Sequence, residues 1–471
     1  MRCAGRCDHL RVLPIVTPEE MGAIDREATE PVEVLIGRAG FAVARTALEM
    51  LGSAYGKRVV VVAGKGNNGA DGREAARLLE RRGVRCLVED AISVEPGARL
   101  PPVDLVIDAA YGTGFRGAYD APDPGGAPVL AVDIPSGVSG LTGEAAPGAV
   151  RADATVTFAA LKPGLVLQPG REHAGHTSVA DIGLSCERAT AHLVEAADVR
   201  GWLPRRPAAT HKWKAAVWVV GGSAGMTGAP ALAARGAQRA GAGYVRLSVP
   251  GTTDVPGAPV EAVGVELPAG GWAAAVLDDV HRFKAIVVGP GLGRGTEARD
   301  AVRELAARSP LPVVIDGDGL VALGESWRAP AGATVVLTPH DGEAERLSGV
   351  APGTDRFAAA RALASQTGAT VLLKGPTTVV ADPDGRALAV TTGDARLATA
   401  GTGDVLAGVL GALLAQGLAP LQAAAGAAWL HGRAGTLGPA RGLVAGDLPD
   451  LLPVAYESLE HPDDGQQLAR P

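Results

Sequence analysis

The chain has 471 residues, of which 47% are hydrophobic and 20% charged, with a formal charge of -7 at neutral pH. That length exceeds one ordinary core of about 150 residues and implies two or three domains, while the absence of a period in the 65 Gly and 34 Pro excludes collagen and a composition this apolar excludes wholesale disorder. An acidic balance without a Lys/Arg cluster argues against nucleic acid as the main partner.

The first residues, MRCAGRCDHLRVLP, lack the apolar core of a signal peptide, and residues 1–13 read as a leader. Cys3, Cys7 and His9 lie within it as a metal or disulfide alternative, but the chain has four cysteines and no C-x-x-C pair, so the expected home is the reducing cytoplasm. With aromatics at 3%, cores must be built from Ala, Val and Leu, which favours tightly packed α/β layers. KRVVVVAG, from Lys57, is a buried parallel strand by its continuous β-branched run. GADGREAARLLERRG follows as a helix, with Ala75, Leu78 and Leu79 at helical spacing and Gly83 as its stop. VRCLV, VDLVIDAAYGTG, PVLAVDIPSG and ATVTFAA repeat the alternation. A doubly wound parallel sheet results, with ligands expected at the strands' carboxyl ends.

WLPRRPAATHKWK, 202–214, is rich in Pro and basic residues, and the linker is placed at 191–211. A second series begins with AAVWVVGGS and continues through GYVRLSVP, AIVVGPGLG, PVVIDGDGL, TVVLTPHDGE and ATVLLKG, again α/β. TTVVADPDGRALAV, 377–390, reads as a hairpin turning at Asp-Pro-Asp-Gly. Residues 405–430 carry no charge, but QGLAP interrupts them, so two packed interior helices are expected rather than a membrane span. The tail, 457–471, is polar. Only seven of the 44 basic residues are lysines, which singles out each one.

GKGNNGADG at 64–72 follows a strand and opens a helix, where glycines let backbone N–H groups approach an anion. DAAYGTGFRGA and DIPSGVSG follow later strands, so three loops converge on one sheet edge. In this order, and with TFAALKPG, they resemble the N-terminal epimerase half of the bifunctional NAD(P)H-hydrate repair enzymes over residues 14–190. The resemblance implies that Asn67, Asn68, Gly69, Ala70, Asp71 and the loop Gly112, Thr113, Gly114, Phe115, Arg116, Gly117 and Ala118 contact the hydrated dinucleotide. It implies a potassium ion held by Asn68, Asp108 and Ser136, Asp133 as substrate-binding acid and base of proton transfer, and Lys162 beside the substrate. The family has glycine where this chain has Ala70; a left-handed backbone there would strain alanine, and a helical one would not.

VVGGSAGMTGAPALAARGAQRAGAGYVRL, GPGLGRG, TPHDGEAERL, KGPTT and ATAGTGD resemble the second half of the same enzymes, a ribokinase-like dehydratase, over 212–456. In GTGD the amides of Gly401, Thr402 and Gly403 would form an anion hole at a helix start. Asp404 repels phosphate and is better suited to take a proton from an attacking hydroxyl; its structural alternative is a helix cap. The resemblance implies that Gly293, His340 and Asp404 lie on the hydrate. It gives the nucleotide to Lys374, Gly375, Pro376, Thr377 and Thr378 and to Asp394, Ala395, Arg396, Leu397, Ala398, Thr399, Ala400, Gly401, Thr402 and Gly403. Gly393, Asp394 and Ala395 stand where many relatives carry Asn-Pro-Gly. Glu343 is expected to help organise magnesium.

The expected function is repair of the hydrates of NADH and NADPH: epimerisation of R and S forms, then ADP-driven dehydration of the S form. Small-molecule partners, no membrane and a possible homo-oligomer accompany it. Two other readings remain open from sequence, a ribokinase-like kinase of a small alcohol or vitamin precursor with an accessory N-terminal domain, and a non-catalytic nucleotide sensor or partner-binding module in the N-terminal half.

Overall fold

Six parallel strands form the N-terminal sheet, in the order Arg85–Asp90, Arg58–Ala63, Leu105–Ala109, Val129–Val132, Ala154–Phe158 and His176–Ala180. Val61 lies beside Val88 on one side and Ile107 on the other, and the central strands are buried along their length. Both faces are covered, which is why these strands read as continuous apolar runs. The computed structural model describes residues 13–460 apart from positions 115, 116, 118 and 253, and the chain parts into two compact units between Ala191 and His192. Cys3, Cys7, His9, Phe115, Arg116 and Ala118 therefore lie outside the described residues.

The helix after the first sheet strand spans Asn67–Glu80 and begins earlier than the apolar periodicity suggests, because Gly66 takes an extended cap conformation. Its glycines serve close packing. A Cβ on Gly69 would stand 1.9 Å from the Gly64 carbonyl oxygen, and one on Gly72 would stand 2.4 Å from Ala109 Cβ. Ala70 is helical and its N–H donates to Gly66 O at 3.1 Å, so alanine there carries no backbone strain.

The C-terminal sheet runs, from the strand at Ala191–Leu193, through Ala387–Val390, Thr378–Ala381, Thr370–Leu373, Val335–Leu337, Val313–Ile315, Ala285–Val288, Ala216–Val220, Tyr244–Ser248 and Val263–Gly264. The hairpin expected at Asp-Pro-Asp-Gly is antiparallel and pairs Thr378 with Val390, while the strands from Thr370–Leu373 to Val263–Gly264 are parallel. The uncharged stretch forms two interior helices, Thr402–Ala415 and Pro420–Leu437. The first lies against Gly228–Arg239 so closely that a Cβ on Gly408 would meet Ala233 O at 1.9 Å. No described helix is long and apolar enough to cross a membrane.

Two boundaries differ from the sequence expectation. Within the stretch read as linker, Ala191–Leu193 is a strand and Ala196–Trp202 a helix closed by a reciprocal Glu195–Asp198 cap, with Val194 and Val199 in the core. Regular structure is lacking at Val194 and Glu195 and over 203–211. At the other end the helix Leu448–Glu460 carries past the expected start of the tail, because Leu452, Ala455 and Leu459 keep one face buried.

Candidate active sites

In the N-terminal unit the loops at the strands' carboxyl ends, with Pro18–Glu27 and Val32–Leu51, enclose a cavity of about 740 Å³. Its walls include Asn67, Asn68, Asp71, Gly112, Thr113, Gly114, Asp133 and Lys162, which the sequence had singled out. Asp133 follows the Val129–Val132 strand with a left-handed backbone, φ 65°, a conformation that aspartate tolerates and that recurs at functional sites. Lys162, 1% exposed, donates to Asp133 Oδ1 at 2.5 Å, to Thr157 Oγ1 at 2.8 Å and to the Phe158 carbonyl at 3.1 Å. Thr157 Oγ1 also donates to Asp133 Oδ1 at 3.0 Å. The lysine thus anchors the carboxylate through a charge-assisted bond and has no spare proton for a ligand. Asp71 differs, since burial, reinforced by the Asp133 and Asp25 carboxylates, pushes its carboxyl up to about 8.

Asp108 and Ser136 are brought into direct contact. Ser136 donates its N–H to Asp108 Oδ2 at 2.8 Å and its hydroxyl to Oδ1 at 2.7 Å, while burial pushes the Asp108 carboxyl up to about 6. Both polar atoms of the Asn68 side chain are buried with no partner among the described residues, beside Gly112. An unpaired buried amide costs about 1–3 kcal/mol, and hard oxygens from Asn68, Asp108 and Ser136 suit a cation such as potassium. Gly69 and Ala70 sit within the helix start and Gly117 in the loop that follows Gly114.

In the C-terminal unit Asp404 is the third residue of Thr402–Ala415, and Gly401, φ 93°, is the N-cap without any side-chain cap bond. The cap alternative for Asp404 therefore fails. Among the described backbone bonds the Gly401 and Gly403 N–H groups donate to nothing, whereas Thr402 N–H turns back to Thr399 O at 3.4 Å. The expected amide cradle is thereby narrowed to its two glycines. Burial and the Asp316 carboxylate, against the pull of Lys374 and with additions from Asp318 and Glu343, push Asp404 up to about 7.

Lys374 Nζ donates to Asp316 Oδ1 at 2.9 Å and lies 3.8 Å from Glu343 Oε2. Thr338 Oγ1 donates to the same Asp316 oxygen at 2.7 Å. Burial would lower the proton affinity of Lys374, but Asp316 and Glu343 outweigh it and the net shift is upward, so the ammonium persists. A Cβ on Gly403 would stand 3.5 Å from Lys374 Nζ, which puts that cation at the helix start. In the run from Gly375 to Thr378, Arg356 supports the loop by donating to Lys374 O at 2.8 Å.

Gly293, φ 81°, donates its N–H to Asp318 Oδ2 at 3.0 Å, so Asp318 pins the GPGLGRG loop. His340 caps Asp341–Ser348, its Nδ1 accepting from Gly342 N–H at 3.1 Å, and Glu343 Oε2 accepts from His340 N–H at 2.9 Å. Glu343 is thus already committed to a cap and a lysine, and among the described residues no group of three or more His, Cys, Asp or Glu is placed to hold a metal. Asp394 and Arg396 face each other: the guanidinium pairs with the carboxylate at 2.6 Å and donates to Thr436 O and Gly438 O at 3.1 and 2.9 Å. Their charged groups brace the loop through Ala395, Leu397, Ala398, Thr399 and Ala400.

Sequence reading missed Asp316, Thr338 and Asp318 in this site and Asp25 and Thr157 in the other. An acid directly after the buried strand Val313–Ile315, at its ligand-facing end, was the available signal for Asp316. His431 carried none. It is buried in Pro420–Leu437, burial holds it neutral down to about 4, and its Nε2 has no partner among the described residues.

Comparison with known proteins divides in the same way. A family model described as NAD(P)H-hydrate dehydratase matches residues 217–455, and one described as YjeF-related protein N-terminus matches 32–101 and 87–164. The bifunctional NAD(P)H-hydrate repair enzyme of Moorella thermoacetica is 38% identical, with 95% of this chain and 97% of that protein covered. Its counterpart from Mycobacterium tuberculosis is 38% identical over 88% of each chain. A solved ADP/ATP-dependent NAD(P)H-hydrate dehydratase from Bacillus subtilis, co-crystallised with ATP and Mg2+, is 31% identical and covers 56% of this chain and 97% of its own, with a TM-score of 0.50. A ribokinase-like superfamily protein from Enterococcus faecalis, 23% identical with a TM-score of 0.52 over 59% of this chain and 98% of its own, shares the fold. With two α/β units, each matching one half of those proteins over nearly their whole length, the chain belongs to the bifunctional NAD(P)H-hydrate repair enzymes.

Proposed function

We propose that the two activities of nicotinamide nucleotide repair are divided between the units, epimerisation of NAD(P)H hydrate at residues 14–190 and ADP-dependent dehydration of the S form at 212–456. The enzyme restores NADH and NADPH from their hydrates. The observation that carries the division is that each unit gathers its own carboxylates and an aspartate-bound lysine around a glycine-lined helix start, Asp71, Asp133 and Lys162 in one and Asp404, Asp316 and Lys374 in the other.

In the dehydratase unit Asp404 takes the proton of the hydrate hydroxyl, and that oxygen attacks the terminal phosphorus of the nucleotide. A carboxyl poised at about 7 is half in its basic form at neutral pH and suits the task. Gly401 and Gly403 amides and the Lys374 ammonium receive the charge of the transferring group. Elimination of phosphate, a far better leaving group than hydroxide, then restores the ring double bond. With ADP the products are AMP and phosphate. Gly293 and His340 hold the hydrate; Gly375–Thr378 and the 394–403 loop hold the nucleotide. Magnesium, carried by the nucleotide itself, would neutralise the phosphate charge.

In the epimerase unit Asn67–Asp71 and Gly112–Ala118 hold the dinucleotide, and Asp133 moves the proton. Asn68, Asp108 and Ser136 would hold potassium, which supplies a fixed positive charge beside the substrate. The test is to incubate separated R and S hydrates with the full chain, ADP or ATP, magnesium and potassium, and to follow the reduced-nicotinamide absorbance. Recovery from the S form is expected. A stable phosphorylated product without recovery would leave a kinase in its place.

A further inference from the structure

The hydrate of a reduced nicotinamide has a specific chemistry. The ring is an enamine, so water adds with its proton on the carbon remote from nitrogen and its hydroxyl on the carbon beside nitrogen. That second carbon is the one whose configuration distinguishes R from S. Loss of its hydroxyl is assisted by the ring nitrogen but needs an acid, because hydroxide leaves poorly. An epimerase working this way requires a carboxyl that is protonated at neutral pH and a second that is ionised.

We propose that Asp71 is the acid that protonates the departing hydroxyl, with Asp133 as the base for the returning water. This rests on the epimerase reading above. Asp71 and Asp133 line the same cavity with Asp25, Glu30, Lys65 and Lys162 as its other charged groups. Lys162 is spent on Asp133, Thr157 and the Phe158 carbonyl. Asp71 is 7% exposed and the charges that bear on it are the carboxylates of Asp133 and Asp25, both repulsive to its ionised form. Its proton affinity, pushed up to about 8, follows from that setting. Asp133, by contrast, accepts from an ammonium and a hydroxyl and is the acceptor of the pair.

The step balances without an oxidant or reductant. The carbon–oxygen bond breaks with its electron pair on oxygen, which takes the Asp71 proton and leaves as water, while the nitrogen lone pair forms a carbon–nitrogen double bond. Water then adds to the other face of that carbon, the double-bond pair returns to nitrogen, and the surplus proton passes to Asp133. Both carboxyls reset with solvent, and the reverse direction exchanges their roles.

The full chain, supplied with potassium but no nucleotide, is given purified R hydrate in 18O-water, and R-to-S conversion and label uptake are measured against pH. We expect the label to enter at the rate of epimerisation, and kcat to fall as pH rises through about 8, where Asp71 loses its proton. Asp71→Asn, which keeps volume and a donor but no transferable proton, is expected to lower kcat by about 100-fold or more with little change in KM. It should keep dehydration of S hydrate once ADP and magnesium are added, which also reports that the variant folds. Asp25→Asn removes a repulsive charge and is expected to move the alkaline limb to lower pH. Epimerisation without label uptake, or an Asp71→Asn loss confined to KM with the pH limb intact, would overturn the proposal. If the unaltered chain does not speed R-to-S conversion over solvent, the epimerase reading itself falls, and the proposal with it.

Discussion

The two sites hold the same arrangement in unrelated loops. In the N-terminal unit Lys162 and Thr157 both donate to Asp133 Oδ1; in the C-terminal unit Lys374 and Thr338 both donate to Asp316 Oδ1. Beside each neutralised aspartate stands a second carboxyl left without a cation of its own, Asp71 or Asp404, pushed up to about 8 and about 7. The difference lies in exposure: in the first site the lysine-bound acid, Asp133, lines the cavity, whereas in the second the lysine-bound acid, Asp316, is buried and Asp404 stands at the helix start. Burying a carboxyl that has no cation bonded to it, beside another carboxylate, raises its proton affinity toward neutrality, where it can serve as an acid or a base.

Substitutions at these positions test the comparison. The largest effect is expected from Asp404→Asn: dehydration of S hydrate should fall by about 10²–10⁴-fold with nucleotide affinity retained and epimerisation untouched. Equal losses of binding and turnover, read by calorimetric titration and single-turnover kinetics, would make Asp404 structural instead.

Next come the lysines. Lys162→Met strands Asp133 in a pair whose lysine is 1% exposed, and breaking a buried pair in this way costs about 3–5 kcal/mol. Lys374→Met should cost less, because its side chain is 22% exposed and water can partly replace it. Denaturant midpoints of the two variants check the order, and a larger loss at Lys374 would reverse it.

A gentler probe is pH. The base form of Asp404 grows as pH rises through about 7, so kcat/KM for dehydration should show an acid limb there. An acid limb near the ordinary carboxylate value would mean that burial does not tune this group.

The last test concerns stability. Asp71 titrates near 4 when unfolded and at about 8 when folded, so the folded state holds a proton that the unfolded chain has lost between those values. Stability from this group is full below the lower value and lost as pH rises to the upper one. The melting temperature of Asp71→Asn should therefore gain on the unaltered chain from pH 4 to pH 8 and stay ahead above it. A constant gap would show that the carboxyl is not held protonated.

Periodicity and glycine placement determined much from sequence alone. Strands buried on both faces, such as Arg58–Ala63, read as continuous apolar runs, and strand-to-helix turns need glycines like Gly69 where backbone meets backbone, so the α/β order and the loops at the strand ends were legible. Asp404 stood out in the sequence because an acid beside glycine amides conflicts with anion binding and calls for another role. Tertiary structure decided the rest, because a proton affinity depends on neighbours far along the chain. Asp316 reaches Lys374 across 58 positions and Asp133 reaches Lys162 across 29, and no local pattern records either pairing. The strand and helix at 191–202 escaped notice for the same reason, since the core that buries Val194 and Val199 is supplied largely by residues more than a hundred positions downstream.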